Sequence, residues 1–263
     1  MSRPTLRLVC AATALSLLLG GTAHAISAHD VMQQSQAIQE KPQTRRGNMT
    51  MTLVDKSGDK RVRKVTTYTK KYGPDSKSVL FFLEPADVKG TGFLQFGYKA
   101  ADQDDDQWLY LPALKRTRKI TSSNKNQSFM GTDFSYDDMA TRDVDDDEHK
   151  LLREDTVGDQ AVWVIESTPK KLEEDDEYSK AVSYIRKSDY LPAKAEFYDR
   201  KGALEKTLMV QAVTVVDGIP TPAKLEMTSA DSGHKTLLEM DGLEFDKPLD
   251  DELFTQRMLE KGP

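Results

Sequence analysis

The stretch NMTMTLVDKSGDKRVRKVTTYT, residues 48–69, decides the fold class. Met49, Met51 and Leu53 alternate with Thr50, Thr52 and Val54, so an extended chain would put the two sets on opposite faces. Asp55-Lys56-Ser57-Gly58 supplies a turn, and residues 62–69 resume as a second strand. Their β-branched run Val65-Thr66-Thr67-Tyr68-Thr69 suits a pleated surface with one wet face. Two such runs around a Gly-containing turn make an antiparallel hairpin.

Upstream the period is helical. Ile26, Val31, Met32, Ser35 and Ile38 fall near one face of a predicted helix over residues 26–41, which Pro42 ends. Downstream the two-residue period persists, predicting strands at 79–83, 92–98, 107–111, 150–155, 161–167, 181–186, 193–198, 204–216, 223–229 and 235–245. Turn signals such as Asp199-Arg200-Lys201-Gly202 and Ala230-Asp231-Ser232-Gly233 separate neighbours at roughly ten-residue intervals, the rhythm of an antiparallel meander. Residues 250–261 read as a short terminal helix with Leu253, Phe254, Met258 and Leu259 apolar. The expectation is a mainly β (α+β) fold: one large curved antiparallel sheet in a single domain over residues 26–263, with helices mainly at the chain ends.

Residues 1–25 carry the marks of a cleaved secretory signal peptide. Arg3 and Arg7 form a positive start, residues 8–19 an apolar run of about a dozen, and Ala23-His24-Ala25 a small-x-small cleavage pattern. That run is too short to span a bilayer core, which takes roughly 20 residues, and no later apolar run approaches that length. Cleavage removes Cys10, the single cysteine, so the mature chain has neither a disulfide nor a thiol nucleophile. No cysteine follows Gly20-Gly21-Thr22, where a lipid-anchored precursor would need one. Loss of Arg3 and Arg7 takes the formal charge from -6 to -8, a balance that disfavours nucleic acid as a partner. A periplasmic, untethered protein is expected.

Chemistry is sparse. The acidic runs at 102–106, 143–148 and 173–177 lie between strands and read as solvated loops; the first lacks the central Gly and distal Glu of an EF-hand loop. His29, His149 and His234 are far apart in sequence, without the converging spacing of a zinc site. Neither a Gly-x-Ser-x-Gly elbow nor a Gly-rich phosphate loop is present. No catalytic residue, metal or cofactor is expected.

The informative block is central. In Gly92-Phe93-Leu94-Gln95-Phe96-Gly97-Tyr98, Leu94, Phe96 and Tyr98 share a face; in Gln107-Trp108-Leu109-Tyr110-Leu111, both faces are apolar and should be covered. One such face is either ordinary core or the lining of a cavity for a greasy ligand. Lys115-Arg116-Thr117-Arg118-Lys119 then concentrates four cations in an acidic protein. Either it is a solvated edge with weak ion pairs, or Arg116 and Arg118 contact an anionic headgroup or a partner.

The run Trp108-Leu109-Tyr110-Leu111-Pro112-Ala113-Leu114-Lys115-Arg116-Thr117-Arg118-Lys119-Ile120, followed by Ser128-Phe129-Met130-Gly131-Thr132-Asp133-Phe134-Ser135-Tyr136-Asp137-Asp138-Met139, resembles the signature of periplasmic outer-membrane lipoprotein-sorting proteins, which are similar to the carrier LolA. The resemblance implies an incomplete, strongly curved β-barrel with helices over its open side and acyl chains held inside. It also implies a lipid or acyl-chain ligand and an inner-membrane transporter of the resistance-nodulation-division type as partner. Under this resemblance Phe82, Leu94, Phe96, Trp108, Tyr110, Trp163 and Met209 are the candidate cavity lining, while Arg116, Arg118, Asp133 and Asp138 are expected mainly to hold a loop over the sheet. The alternative is a regulatory interaction module of the cell envelope built on the same half barrel.

Overall fold

A computed structural model describes residues 26–100, 103–140, 142–172 and 176–262. The expected signal peptide, residues 1–25, lies outside the described residues, as do Asp102 and residues 173–175 of two acidic runs. The described chain begins with helix α1 (Ala28–Gln39), followed by β1 (Thr44–Val54), β2 (Lys60–Tyr72), β3 (Asp75–Glu84), β4 (Gly92–Gly97), β5 (Asp106–Leu111) and β6 (Arg116–Ile120). It continues with β7 (Asp147–Val157), β8 (Gln160–Pro169), β9 (Tyr178–Arg186), β10 (Pro192–Asp199), β11 (Leu204–Val216), β12 (Ile219–Ser229) and β13 (Lys235–Phe245), and ends in a 3₁₀ turn (Asp251–Phe254) and helix α2 (Gln256–Lys261).

All described strands join one antiparallel sheet in the order β6-β5-β4-β3-β2-β1-β13-β12-β11-β10-β9-β8-β7. Two meanders therefore run outward from the central β1–β13 pair, and the sheet stays open between β6 and β7. Both edges carry charge, Arg116, Arg118 and Lys119 on one and Lys150, Arg153 and Glu154 on the other, which discourages edge-to-edge pairing. β6 was not among the strands expected from periodicity. Its residues are mostly cationic and exposed, a composition that an edge strand tolerates and a central one does not.

The sheet curls, and two hydrogen bonds measure how much. Gln107 on β5 donates to the Tyr136 carbonyl at 3.0 Å, and Tyr178 on β9 donates to Asp138 at 2.8 Å. β5 and β9 are nine steps apart in the strand order. In a flat sheet that separation would be about 43 Å at ~4.8 Å per step, yet residues 136 and 138 lie within about 7 Å of each other. One face must therefore close around the segment that follows β6.

That inner face is covered by irregular chain in one half and by helix in the other. Phe129 and Tyr136 pack with Leu80, Phe82, Phe93 and Leu109. Under the other half α1 lays Ala28 and Val31 on Ile165 and Ile185. α1 starts where Ser27 and Asp30 form a reciprocal capping box, which satisfies two otherwise orphaned donors. On the outer face Phe254 and Leu259 of the C-terminal segment pack on Val79, Phe81 and Leu94. β5 is thus covered on both sides, as its double apolar pattern requires. The two helices are only 12 and 6 residues long. Most of the inner roof over β2–β5 is the segment between β6 and β7, whose described residues hold short 3₁₀ turns at Ser122–Asn124 and Val144–Asp146 and no α-helix.

Candidate functional site

Register decides which side chains face inward. Leu80, Phe93 and Leu109 lie opposite one another on β3, β4 and β5, and so do Val79, Leu94 and Trp108 on the other face. Among the residues expected to line a cavity, Phe82 and Trp163 face inward. Phe82 packs against Phe129, ring centroids 6.3 Å apart, and Trp163 stacks on Tyr190 at 5.5 Å beside α1. Leu94, Phe96, Trp108 and Tyr110 come together on the outer face beneath the C-terminal segment, where the Phe96 and Trp108 rings meet edge-on at 4.9 Å. Met209 pairs with Lys194 and shares the outer face with it. Arg116 and Arg118 stand exposed on edge strand β6, opposite Leu111 and Leu109.

Among the cavities that open on the inner face, two adjoin along β12. The first, about 260 Å³, lies between the segment after β6 and strands β7–β12; Phe134, Ala181, Phe197, Leu208 and Met227 form its apolar side, and Asp137, Arg142, Asp147 and Lys180 are among the charged groups on the other. At its border sits a buried charged group. Lys206, 8% exposed, donates to Glu177 at 2.6 Å, to the Tyr178 hydroxyl oxygen at 2.7 Å and to Asp138 at 3.1 Å. All three ammonium protons are thereby used. Tyr178 in turn donates to Asp138, and Asp133 accepts from Thr236 of β13 at 2.7 Å. Asp133 and Asp138 therefore pin the roof segment to β13, β11 and β9.

The electrostatics follow from one cation among several carboxylates. Burial alone would lower the Lys206 pKa, but Asp138 and Glu177 outweigh it and raise it. Burial, reinforced by Glu177 and Asp138, pushes the Asp137 carboxyl up to about 6. Burial and the same two carboxylates hold Tyr178 firmly protonated. Among the described residues, Glu177 Oε2 is buried without a hydrogen-bond partner.

The second cavity, about 270 Å³, lies between α1 and strands β1, β2, β12 and β13. Ile38, Ile219, Leu225, Met240 and Phe245 line it, with Arg45 beside them. Leu225 here and Met227 in the first cavity are successive inward residues of β12, about 7 Å apart. The two cavities are neighbours on one face.

Tertiary folding also joins residues distant in the sequence. His29 and His149 approach to 6.0 Å between ring centroids. His29 bonds Asp145, while His149 bonds Ser167 and the Val144 carbonyl. Among the described residues no group of three or more His, Cys, Asp or Glu is placed to hold a metal. None of their helices is long and apolar enough to cross a membrane.

Residues 74–261 match a protein family whose description reads only "Uncharacterized protein". No curated protein matches the chain. Among solved structures, a DUF1329 family protein from Desulfovibrio piger shares 32% identity at a TM-score of 0.84, covering 88% of this chain and 97% of that one. An outer membrane lipoprotein-sorting protein domain from Vibrio parahaemolyticus shares 32% identity at a TM-score of 0.82, covering 89% and 98%. A LolA superfamily protein from Nitrosomonas europaea, 22% identical with 89% and 99% covered, shares the fold at a TM-score of 0.70. With a third of its residues matched over nearly its whole described length, the chain belongs to the outer membrane lipoprotein-sorting protein family, and it shares the fold of the LolA superfamily.

Proposed function

We propose that the protein is a periplasmic lipid or lipoprotein carrier that holds acyl chain against the inner face of an incomplete β-barrel. The observation that supports this reading is the pair of adjoining cavities on that face, the second largely apolar and the first apolar along Phe134, Phe197, Leu208 and Met227. Singly, at about 260 and 270 Å³, they fall just under the ~300–1,000 Å³ of ordinary ligand pockets, and jointly they fall within it. Burial of ten methylenes there would contribute about 8 kcal/mol at ~0.8 kcal/mol each. Removal of residues 1–25 would leave the carrier free to cross between membranes. An inner-membrane transporter of the resistance-nodulation-division type would load or unload it, as the family resemblance suggests. In this reading Leu208, Met227 and Leu225 border the lipid space, Phe82 and Trp163 pack inward beside it without lining either cavity, and the outer cluster of Leu94, Phe96, Trp108 and Tyr110 anchors the C-terminal helix.

The test is chemical. Protein purified from its native host is extracted with organic solvent, and the extract is analysed by mass spectrometry. A lipid or acylated species in stoichiometric amount is expected. An empty protein that also fails to bind fluorescent lipids saturably would overturn the proposal.

A further inference from the structure

Arg45 is the one lining residue of the second cavity that its surroundings leave electrostatically unfinished. Its strand register places it inward, in line with Met49 and Met51 on β1 and opposite Thr69 on β2. The guanidinium is half-buried and lies over the Phe245 ring, 5.4 Å from its centroid. Among the described residues no side chain or carbonyl accepts a hydrogen bond from it. Burial lowers its pKa, and Glu40 and Asp246 only partly offset that through space. Both of those carboxylates are engaged elsewhere. Glu40 accepts from Gln36 at 2.6 Å and sits 3.7 Å from Lys71, and Asp246 accepts from the Gln43 amide at 2.7 Å. The other cations nearby, Lys71 and Lys99, have partners in Glu40 and Asp143.

A half-buried cation without a counter-ion is costly unless a ligand completes it. A guanidinium presents a planar fork of donors that matches a carboxylate or a phosphate. Behind Arg45 the surface is apolar: Phe245, Met240 and Leu225 lead along the inner face to Met227 and Leu208 of the first cavity. At the far end the carboxylate-rich group around Lys206 would repel an anion, which fixes the direction of entry.

We propose that Arg45 is the headgroup-binding residue for an anionic amphiphile, whose single carboxylate or phosphate pairs with the guanidinium while its acyl chain runs past Leu225 toward Met227. This rests on the carrier reading above and adds to it the class of head and the direction of the tail.

The experiment compares a fluorescent long-chain fatty acid with its methyl ester, titrated into the full chain and into Arg45→Gln and Arg45→Lys. The acid is expected to bind the parent roughly tenfold or more tightly than the ester, in line with one charge-assisted contact. Arg45→Gln should remove that preference and Arg45→Lys should restore part of it, with ester binding changing far less than acid binding in both; an unchanged circular dichroism spectrum and melting temperature report an intact fold. Inorganic phosphate and a long-chain alkyl phosphate serve as competitors. Displacement by the alkyl phosphate alone supports an amphiphile, whereas equal displacement by inorganic phosphate overturns it in favour of a simple anion site. Equal binding of acid and ester in the parent, or an acid preference that survives Arg45→Gln, overturns the role of Arg45 and leaves the carrier reading standing. Failure of both probes to bind overturns the two together.

Discussion

Lys206 Nζ on β11 lies 3.1 Å from Asp138 Oδ2 in the segment that follows β6, although β11 and β6 are eight steps apart in the sheet. This contact links the two halves of the open sheet through its interior. The side chains of Lys206, Asp138 and Glu177 are 10%, 5% and 6% exposed, so little solvent remains to compensate a missing partner.

Lys206→Met would leave Asp138 and Glu177 buried against each other without a cation. Removing one member of a buried ionic group costs about 3–5 kcal/mol. Urea denaturation of parent and variant should show a loss in that range, and a variant as stable as the parent would show that the cluster is solvated in solution.

Asp137 makes a pH prediction with a definite sign. Its folded pKa of about 6 stands above its ordinary value of 3.8. A raised carboxylate pKa contributes stability that is complete below the unfolded value and is lost as the pH rises through the folded one. Asp137→Asn, which cannot ionise, should therefore be more stable than the parent above pH 6. The gap should close toward pH 4. Thermal unfolding of both proteins across this range measures it, and a gap that widens on acidification would contradict the assignment.

Gly92 on β4 has no room for a side chain. An added Cβ would stand 2.6 Å from Leu259 Cδ1 and 3.2 Å from the Leu259 carbonyl oxygen, and Leu259 is fully buried. Gly92→Ala should push α2 off the outer face and destabilise the protein by about 1–3 kcal/mol. Limited proteolysis should then cut earlier within residues 249–262 than in the parent.

Leu208 lines the first cavity, and a larger ring there would fill it. Leu208→Trp is expected to weaken acyl-chain binding roughly tenfold, the loss of about 1.4 kcal/mol of tail burial. Ester and acid probes should be affected alike, in contrast to Arg45→Gln. An unchanged affinity would place the chain outside this cavity.

Much of the fold was legible because strands and turns are local. The alternation at residues 48–54, the Gly-containing turns and the double apolar face of residues 107–111 each depend on neighbours a few residues away, and each corresponds to an element of the structure. β6 escaped because an exposed, cationic edge strand lacks the apolar alternation that marks a strand. The site was less legible. Period two reports that Leu94 and Phe96 share a face, and Phe93 the other, but not which face curls inward. Leu94, Phe96, Trp108 and Tyr110 were expected with Phe82, Trp163 and Met209 to line a cavity, yet these four lie on the outer face with the C-terminal helix. Asp133 and Asp138 stood out through the sequence motif. Nothing local distinguishes Lys206 or Arg45 from the chain's other cations.

The sequence by itself carried the expectation of an export signal at residues 1–25, and it determined the antiparallel meander and the family signature at residues 108–139. These rest on short-range periodicity, composition and spacing. The tertiary structure alone decided the direction of curl, the inward set of side chains and the burial of particular charges. Those depend on contacts such as Gln107 with Tyr136 and Tyr178 with Asp138, which join strands nine steps apart. A side chain's face is set by its strand, but whether that face meets lipid, helix or water is set by what the whole sheet closes around.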